Sequence, residues 1–330
     1  MTAPGDGAGG YGAPAPGDGA GGYGAPAPGD GAAGRGAPAF HDADAIARRL
    51  PHAAAVGALE AALRAGLDPE ADPPRSFVSA AGGELLVMPS AAGGGLGVKL
   101  VTVGGEPRVQ GVYVLFDGDT LAPAALLDGI GLTDLRTSAV SALAVRHLAA
   151  REPRRLVVFG SGPQARAHVH ALRAIAPVEH VAIVGRDRGK AEGLAGELGA
   201  EADGPEAVEG ADVVCCCTTA REPLFDGDAV GEEAVVVAIG SHEPDAREVD
   251  ERLAGRATVV VESRASALRE AGDVIQAIDA GVLREDELVG LAELVRGEAA
   301  PAPGRPRLFK STGMAWEDLV LAAAVHAAGP

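Results

Sequence analysis

The sequence predicts an α/β protein in two parts, an antiparallel α+β block followed by a doubly wound parallel sheet. Three observations carry that prediction. From residue 154 onward, short apolar runs alternate with helical stretches, at Leu156 to Phe159, Val181 to Val184, Val213 to Cys217, Ala234 to Ile239 and Thr258 to Val261. Alternation at that pitch calls for parallel pairing through right-handed crossovers, with helices on both faces. The first of these strands breaks into Gly160-Ser-Gly-Pro-Gln-Ala165 and restarts at once as a helix, the Rossmann-type arrangement. Before it, short strands between Phe77 and Phe116 are separated by glycine-rich turns with no helix between them, which predicts antiparallel pairing.

In chain order, residues 1–38 are a different material. Gly-Asp-Gly-Ala starts at Gly5, returns at Gly17 and degenerates at Gly29, a twelve-residue spacing. Apart from Met1, Tyr11 and Tyr23 this stretch has no large apolar side chain, so it cannot offset its ordering entropy and is expected to be a disordered, passive tail. The fold is expected to begin near Phe40. From His41 to Ala65 the apolar residues Ile46, Leu50, Val56, Leu59 and Leu63 recur at helical spacing. Phe77-Val78, Glu84 to Met88, Gly97 to Val103 and Val109 to Phe116 read as strands. Leu132 to Ala150 reads as a helix with Thr133 as its N-cap. Helices are expected at Gln164 to about Ile175, Arg188 to Leu198 and Met314 to His326.

Composition bounds the function. A chain of 330 residues with 47% hydrophobic content can bury a sizeable core and is expected to form two domains. The formal charge of −18, with no basic cluster, argues against nucleic acid or an anionic membrane as partner. No apolar run reaches membrane-spanning length and the N-terminus lacks the apolar core of a signal peptide. The three cysteines are consecutive, Cys215 to Cys217, in an apolar run. Neighbouring strand residues point to opposite faces, so they cannot share a metal, and they read as buried residues of a cytoplasmic protein.

The glycine turn carries the first chemical statement. A strand that turns directly into a helix aims backbone N–H groups and a helix N-terminus at one place, where a pyrophosphate can sit. Gly160 lets the chain turn, Gly162 lets the backbone approach the phosphates, and Ala165 takes the third small position. A glycine pattern alone is weak in a chain with 48 glycines, but here the flanking strand and helix are both legible.

Six segments resemble the ornithine cyclodeaminase/mu-crystallin family. They are Gly97-Val-Lys-Leu-Val-Thr102, Leu135-Arg-Thr-Ser-Ala-Val-Ser-Ala-Leu143, Phe159-Gly-Ser-Gly-Pro-Gln-Ala-Arg166, Gly240-Ser-His-Glu-Pro-Asp-Ala-Arg-Glu248, Glu270-Ala-Gly-Asp273 and Phe309-Lys-Ser-Thr-Gly-Met-Ala-Trp-Glu-Asp318. They occur in family order and span the chain from about residue 40 to its end. The resemblance implies a homodimeric oxidoreductase. Residues 39–135 with 306–330 would form a substrate-binding and dimerisation domain, and 136–305 the dinucleotide-binding domain. Family members include cyclodeaminases, ketimine reductases, alanine dehydrogenases and a hormone-binding lens protein, so the substrate stays open.

The resemblance also assigns roles. Arg75 matches the arginine that grips the substrate carboxylate, a task suited to a planar guanidinium. Taken alone, an arginine beside Pro73-Pro74 would be a surface charge. Lys99 matches a catalytic lysine near the substrate nitrogen and carboxylate; taken alone, it could lie on the solvent face of an edge strand. Arg136 and Thr137 fall at the nicotinamide end of the cofactor site. Lys310-Ser311-Thr312-Gly313 resembles the loop touching nicotinamide and substrate, although Ser311 and Thr312 could equally cap the last helix. Cofactor contacts are further implied at Gly160, Gly162, Pro163, Gln164, Ala165, Thr218, Gly240, Ser311 and Gly313. Glu270 and Asp273 are expected to be structural.

Two departures from the family pattern narrow the reading. NAD-dependent members carry an acid where Gly185 stands, to bind the ribose 2′-hydroxyl. Here Arg186 follows instead, and a cation there suits the 2′-phosphate of NADP, while Asp187 keeps NAD open. Ornithine cyclodeaminases carry an aspartate where this chain has His242. That carboxylate serves the distal amine of ornithine, and a neutral imidazole offers no charge to an ammonium, though it can donate or accept a proton. The expectation is therefore an NADP(H)-dependent reductase of a cyclic ketimine such as pyrroline- or piperideine-2-carboxylate. Arg75 would be the clamp, Lys99 would polarise the site and help with proton transfer, and His242 is a candidate proton donor. Ornithine cyclodeaminase, an open-chain amino-acid dehydrogenase and a binding protein without turnover are the alternatives.

Overall fold

Two hydrophobic periods build two sheets in the computed structural model, which describes residues 37–329. The expectation for the N-terminal repeats falls, up to residue 36, outside the described residues. Strict alternation makes the first sheet. After β1 (Ala39–His41) come helices α1 (Ala43–Arg49) and α2 (His52–Arg64). Strands β2 (Ser76–Ala80), β3 (Gly83–Ser90), β4 (Leu96–Val103), β5 (Val109–Phe116) and β6 (Pro123–Asp128) follow. The order is β1-β6-β5-β4-β3-β2, antiparallel except for the β1–β6 pair. One face is buried through Leu86, Met88, Lys99, Val101, Tyr113, Leu115 and Leu127. Register places Met88, Lys99, Tyr113 and Leu127 in one cross-strand row on that face. Arg75 immediately precedes the Ser76–Val87 pair at the end of the same row.

Three expectations for this block are corrected. The helical run from His41 is two helices, because Pro51 has no N–H to donate and pushes Leu50 out of the helical region, to φ −134° and ψ 82°. Strands β1 and β6 were not expected. The helix expected from Leu132 is α3 (Gly129–Leu148), and its N-cap is Asp128, which accepts from the N–H groups of Ile130 and Gly131. Thr133 lies inside the helix, where its hydroxyl donates to the Gly129 carbonyl at 2.6 Å. The helix starts three residues before Leu132, with Gly129 and Gly131 inside it, because its start packs against β5 and α1. A Cβ on Gly129 would lie 2.5 Å from the Gly111 backbone, and one on Gly131 would lie 2.8 Å from Ala43 Cβ.

Continuous apolar runs make most of the second sheet, whose central strands β10, β11 and β14 are buried on both faces while the edge strand β9 is largely exposed. It contains β7 (Arg155–Phe159), α4 (Pro163–Arg173), β8 (His180–Val184), α5 (Arg188–Leu198), β9 (Glu201–Asp203), β10 (Val213–Cys216) and β11 (Val235–Ala238). Then come α6 (Glu251–Arg256), β12 (Thr258–Val261), α7 (Arg264–Glu270), α8 (Gly272–Asp279), β13 (Val289–Gly290), α9 (Leu291–Arg296), β14 (Arg307–Lys310) and α10 (Ala315–Ala327). All its pairs are parallel, in the order β13-β12-β14-β11-β10-β7-β8-β9.

The C-terminal segment divides. Strand β14 fills the gap between β11 and β12, so residues 307–310 belong to the parallel sheet, whereas the sequence reading placed them with the first block. Helix α10 packs against α2, α3 and β4 of the first block. No helix among the described residues is long and apolar enough to cross a membrane.

Candidate active site

The glycine turn after β7 has the backbone its role demands. Gly160 takes φ +120°, and a Cβ there would lie 2.4 Å from the Cys217 carbonyl oxygen. Gly162 caps α4 without a side-chain hydrogen bond, and a Cβ on it would meet nothing within 4 Å, so its approach side is open. Pro163 takes the first helical position, where no N–H is needed. Ala165 is fully buried. Gln164 turns the other way, its Nε2 donating to Asp134 Oδ1 of α3 at 2.7 Å. Beyond the turn lies a cleft of about 520 Å³ lined by Gly160, Gly185, Arg186, Lys190, Cys217 and Thr218, among others. Cys217 lies past the end of β10 and is half-buried, whereas Cys215 and Cys216 are buried in the strand; all three are free. Asp187 is committed as the N-cap of α5, accepting from the Lys190 N–H at 3.1 Å. Among the described residues Arg186 and Lys190 make no side-chain hydrogen bond or ion pair.

At the other end of the site, the turn after β14 organises the substrate side. Gly313 takes φ +79°, and a Cβ there would lie 2.3 Å from Arg136 Nη1, so glycine is required on both counts. The carbonyls of Thr312 and Gly313 accept from Arg75 Nη2 at 2.8 and 2.7 Å. Glu270 completes that edge with an ion pair at 3.1 Å. Nε and Nη1 of Arg75 make no hydrogen bond among the described residues, so Nη2 is tethered while Nη1 at the end of the guanidinium stays free. A small cavity beside it is lined by Met88, Arg269, Gly313 and Met314. Ser311 is buried with its N–H on the Ala238 carbonyl, and the Thr312 hydroxyl lies 3.0 Å from Ser266 Oγ. Lys310 is not a loop residue. It ends β14, fully buried, with Nζ 2.7 Å from Asp273 Oδ2 and 2.8 Å from the Ser241 carbonyl.

Lys99 is on the buried face of β4, not on a solvent face. Its Nζ lies 2.9 Å from Asp318 Oδ2 and 3.3 Å from Thr133 Oγ1. Burial and the neighbouring Arg136 lower its pKa to about 8, and Asp318 offsets part of that shift. Arg136 is buried in α3, with Nη1 3.0 Å from Glu317 and Nε 3.7 Å from Asp318. Thr137 beside it is buried as well.

His242 stands exposed on the loop after β11. Crowding by the surrounding protein and then the Arg75 charge lower its pKa, which favours the neutral ring. The loop's two carboxylates face away, since Glu243 and Asp245 both pair with Arg221. Beneath the loop, Glu248 accepts from the Thr218 N–H and hydroxyl at 2.8 and 2.7 Å, and from the Gly240 N–H at 2.7 Å. A side chain at Gly240 would collide with this carboxylate, its Cβ falling 2.4 Å from Glu248 Oε1. Burial raises the Glu248 pKa to about 7.

A model of the ornithine cyclodeaminase/mu-crystallin family matches residues 38–328. The chain belongs to this family. It is 36% identical over 256 residues to the rat (Rattus norvegicus) ketimine reductase mu-crystallin, covering 74% of this chain and 80% of that protein. A Delta(1)-pyrroline-2-carboxylate reductase of Bacillus cereus is 33% identical over 257 residues, covering 72% and 79%. The structure of Thermococcus litoralis Delta(1)-pyrroline-2-carboxylate reductase, in complex with NADH and L-proline, superposes with a TM-score of 0.80 at 27% identity. The match covers 88% of this chain and 97% of that one. The two-sheet α/β architecture is that of the family.

Within this family fold, Arg75, Lys99, Arg136 and Gly313 are brought together, with His242 close enough for the Arg75 charge to act on it. Sequence reasoning missed the acids that serve them. Glu270, read as structural, is the direct counter-ion of Arg75. Asp318 and Glu317 hold Lys99 and Arg136, and Glu262 accepts from the N–H groups of Thr312 and Gly313 at 3.0 Å each. Asp273 accepts from the N–H groups of Glu248 and Val249 and pairs with Lys310. The one available signal was Glu317-Asp318, two adjacent acids at the start of an otherwise apolar helix.

Proposed function

We propose that this chain reduces a small cyclic ketimine carboxylate, of the pyrroline- or piperideine-2-carboxylate type, to the cyclic amino acid, with NADPH as reductant. The observation that carries the reading is the loop at His242. A cyclodeaminase needs a carboxylate there for the distal amine of its substrate, whereas Glu243 and Asp245 beside His242 pair with Arg221 and Glu248 is committed to Thr218 and Gly240. A reductase handed a preformed ring needs only a carboxylate clamp, a hydride and one proton. The names of the bacterial, archaeal and rat relatives point the same way.

The glycine turn, the uncapped start of α4 and the cleft beyond them fit a dinucleotide, which would be held by Gly160, Gly162, Pro163, Arg136, Thr218, Gly240 and Ser311. When bound, it supplies a hydride to the imine carbon. The side chains supply the rest. Arg75 would bind the carboxylate through its free Nη1, with Nη2 anchoring the guanidinium to the turn. Lys99, an ammonium at neutral pH with its Nζ oriented by Asp318 and Thr133, would donate the proton that balances hydride addition at the ring nitrogen. His242, neutral at that pH, would line the rim and is the weaker proton source.

NADP is favoured over NAD because Arg186 and Lys190 stand uncommitted in the cleft while Asp187 caps a helix. Steady-state oxidation of each cofactor against Δ1-pyrroline-2-carboxylate tests this. The KM for NADPH should lie below that for NADH, and Arg186→Ala should raise the NADPH value about tenfold while changing the NADH value less than about twofold. Equal losses, or a wild-type preference for NADH, would defeat the cofactor assignment.

A further inference from the structure

Arg75 is held by a turn, and the turn is held by an unusual pair of acids. The N–H groups of Thr312 and Gly313 both donate to Glu262 Oε2 at 3.0 Å, while the carbonyls of the same two residues accept from Arg75. Glu262 therefore sits directly behind the clamp. It comes from the end of β12 and is 3% exposed, and Glu317 of α10 is 0% exposed. The Glu262 carboxyl is near enough for its charge to act on that of Glu317. Oε1 of each is buried without a hydrogen-bond partner, while Glu317 Oε2 accepts from Arg136. One proton between the two would give both orphaned oxygens a partner, whereas two carboxylates have four acceptor oxygens and no donor. Two ionised carboxylates in contact away from water would also repel strongly.

We propose that Glu262 and Glu317 share a single proton and, as an acid pair, position the Thr312–Gly313 turn and through it the Arg75 clamp. Burial and the Glu262 charge push the Glu317 carboxyl upward, in line with a proton held between the two. The other charges facing the pair are Arg136 of α3, Asp318 of α10 and Arg75 before β2. Arg136 favours ionisation, but Asp318 and Lys99 already divide the charge around it. Both acids are thus positioning residues. Neither would touch the substrate, and their effect is on how Arg75 is aimed. At high pH, loss of the shared proton would force the carboxylates apart, shift the turn and loosen the clamp.

The inference rests on the ketimine reading only for its kinetic test. In the wild type, the KM for Δ1-pyrroline-2-carboxylate should rise at alkaline pH. In Glu317→Gln that rise should disappear, because an amide donates to Glu262 without a titrating proton. Glu262→Ala should raise the KM for the imine by at least about tenfold, while the KM for NADPH moves less than about twofold. Glu262→Gln, which keeps the acceptor oxygen for both N–H groups, should rescue most of the loss. Infrared spectroscopy gives a readout without turnover: the wild type minus Glu317→Gln difference should show the carbonyl band of one protonated buried carboxyl at neutral pH. Turnover with no such band would overturn the pair and leave the functional reading intact. The band without turnover of any imine would overturn the functional reading and leave the pair supported. Identical pH profiles in the wild type and Glu317→Gln, or equal damage from Glu262→Ala and Glu262→Gln, would also overturn the proposal.

Discussion

Lys99 is an ammonium buried in an apolar strand, and its surroundings set the pH at which it keeps its proton. Burial comes first and Arg136 second in lowering its pKa to about 8 from an ordinary value of 10.5. The sign follows directly. Below about pH 8 the group is charged in the folded chain, and between there and 10.5 the unfolded chain binds the proton more tightly. This residue therefore adds stability as pH rises through that window, while turnover that needs the ammonium declines over its lower part. The pH profile of kcat for imine reduction should accordingly show an alkaline limb near pH 8. Lys99→Arg, which stays protonated, should move that limb upward at a lower plateau, and Lys99→Met should depress kcat throughout. A limb that stays in place in Lys99→Arg would assign it to another group. Lys99, Arg136 and Gly313 were legible in the sequence because each sits in an extended motif, and Arg75 from its place between Pro73-Pro74 and the Phe77 strand. Their acid partners were not. Glu317 and Asp318 look like ordinary first-turn acids complementing a helix dipole, and only tertiary packing turns them towards Lys99 and Arg136.

At the scale of elements, the strongly patterned segments were legible. The alternating strands from Phe77 to Phe116 and the strand–turn–helix around Gly160 correspond to β2 to β5 and to β7 with α4. The short elements were not. Strand β14 is four residues with a cation at each end, so its local pattern reads as a loop; its buried place comes from pairing with β11 and β12 on either side. The same explanation covers β1, whose three residues are a strand only because β6 lies beside them. The six-stranded sheet carries a further consequence. Its outer face presents Leu85, Val87, Val98, Leu100, Val112 and Val114, half-buried and apolar. A second copy of this chain is the occupant that the family reading supplies for this face. Val98, paired with Pro89 and Val114, lies near its middle. Val98→Asp should convert a dimer to a monomer at low micromolar concentration, read by light scattering after gel filtration. An unchanged dimer would move the interface elsewhere.

At the scale of the molecule, the two sheets meet through α3, which packs on β5 of the first and on β11 and β14 of the second. Helix α3 leads from the first block to the parallel sheet, bringing Asp128, Arg136 and Ser141 along one rod. Helix α10 starts at the turn after β14 and ends against α2 and α3, so the last segment of the chain seals the block that the first segment began. The clamp, the ammonium and the cofactor turn therefore come from distant parts of the sequence and converge only in the fold. That convergence supports reduction of a ring already closed, with His242 standing where ring closure would call for a carboxylate. The most direct test is a paired assay on the wild-type protein: oxidation of NADPH with Δ1-pyrroline-2-carboxylate, and release of ammonia from L-ornithine with NAD. The account predicts steady NADPH consumption with proline formed in equal amount, and ammonia at background. Efficient conversion of ornithine to proline and ammonia, with the imine left unreduced, would contradict it.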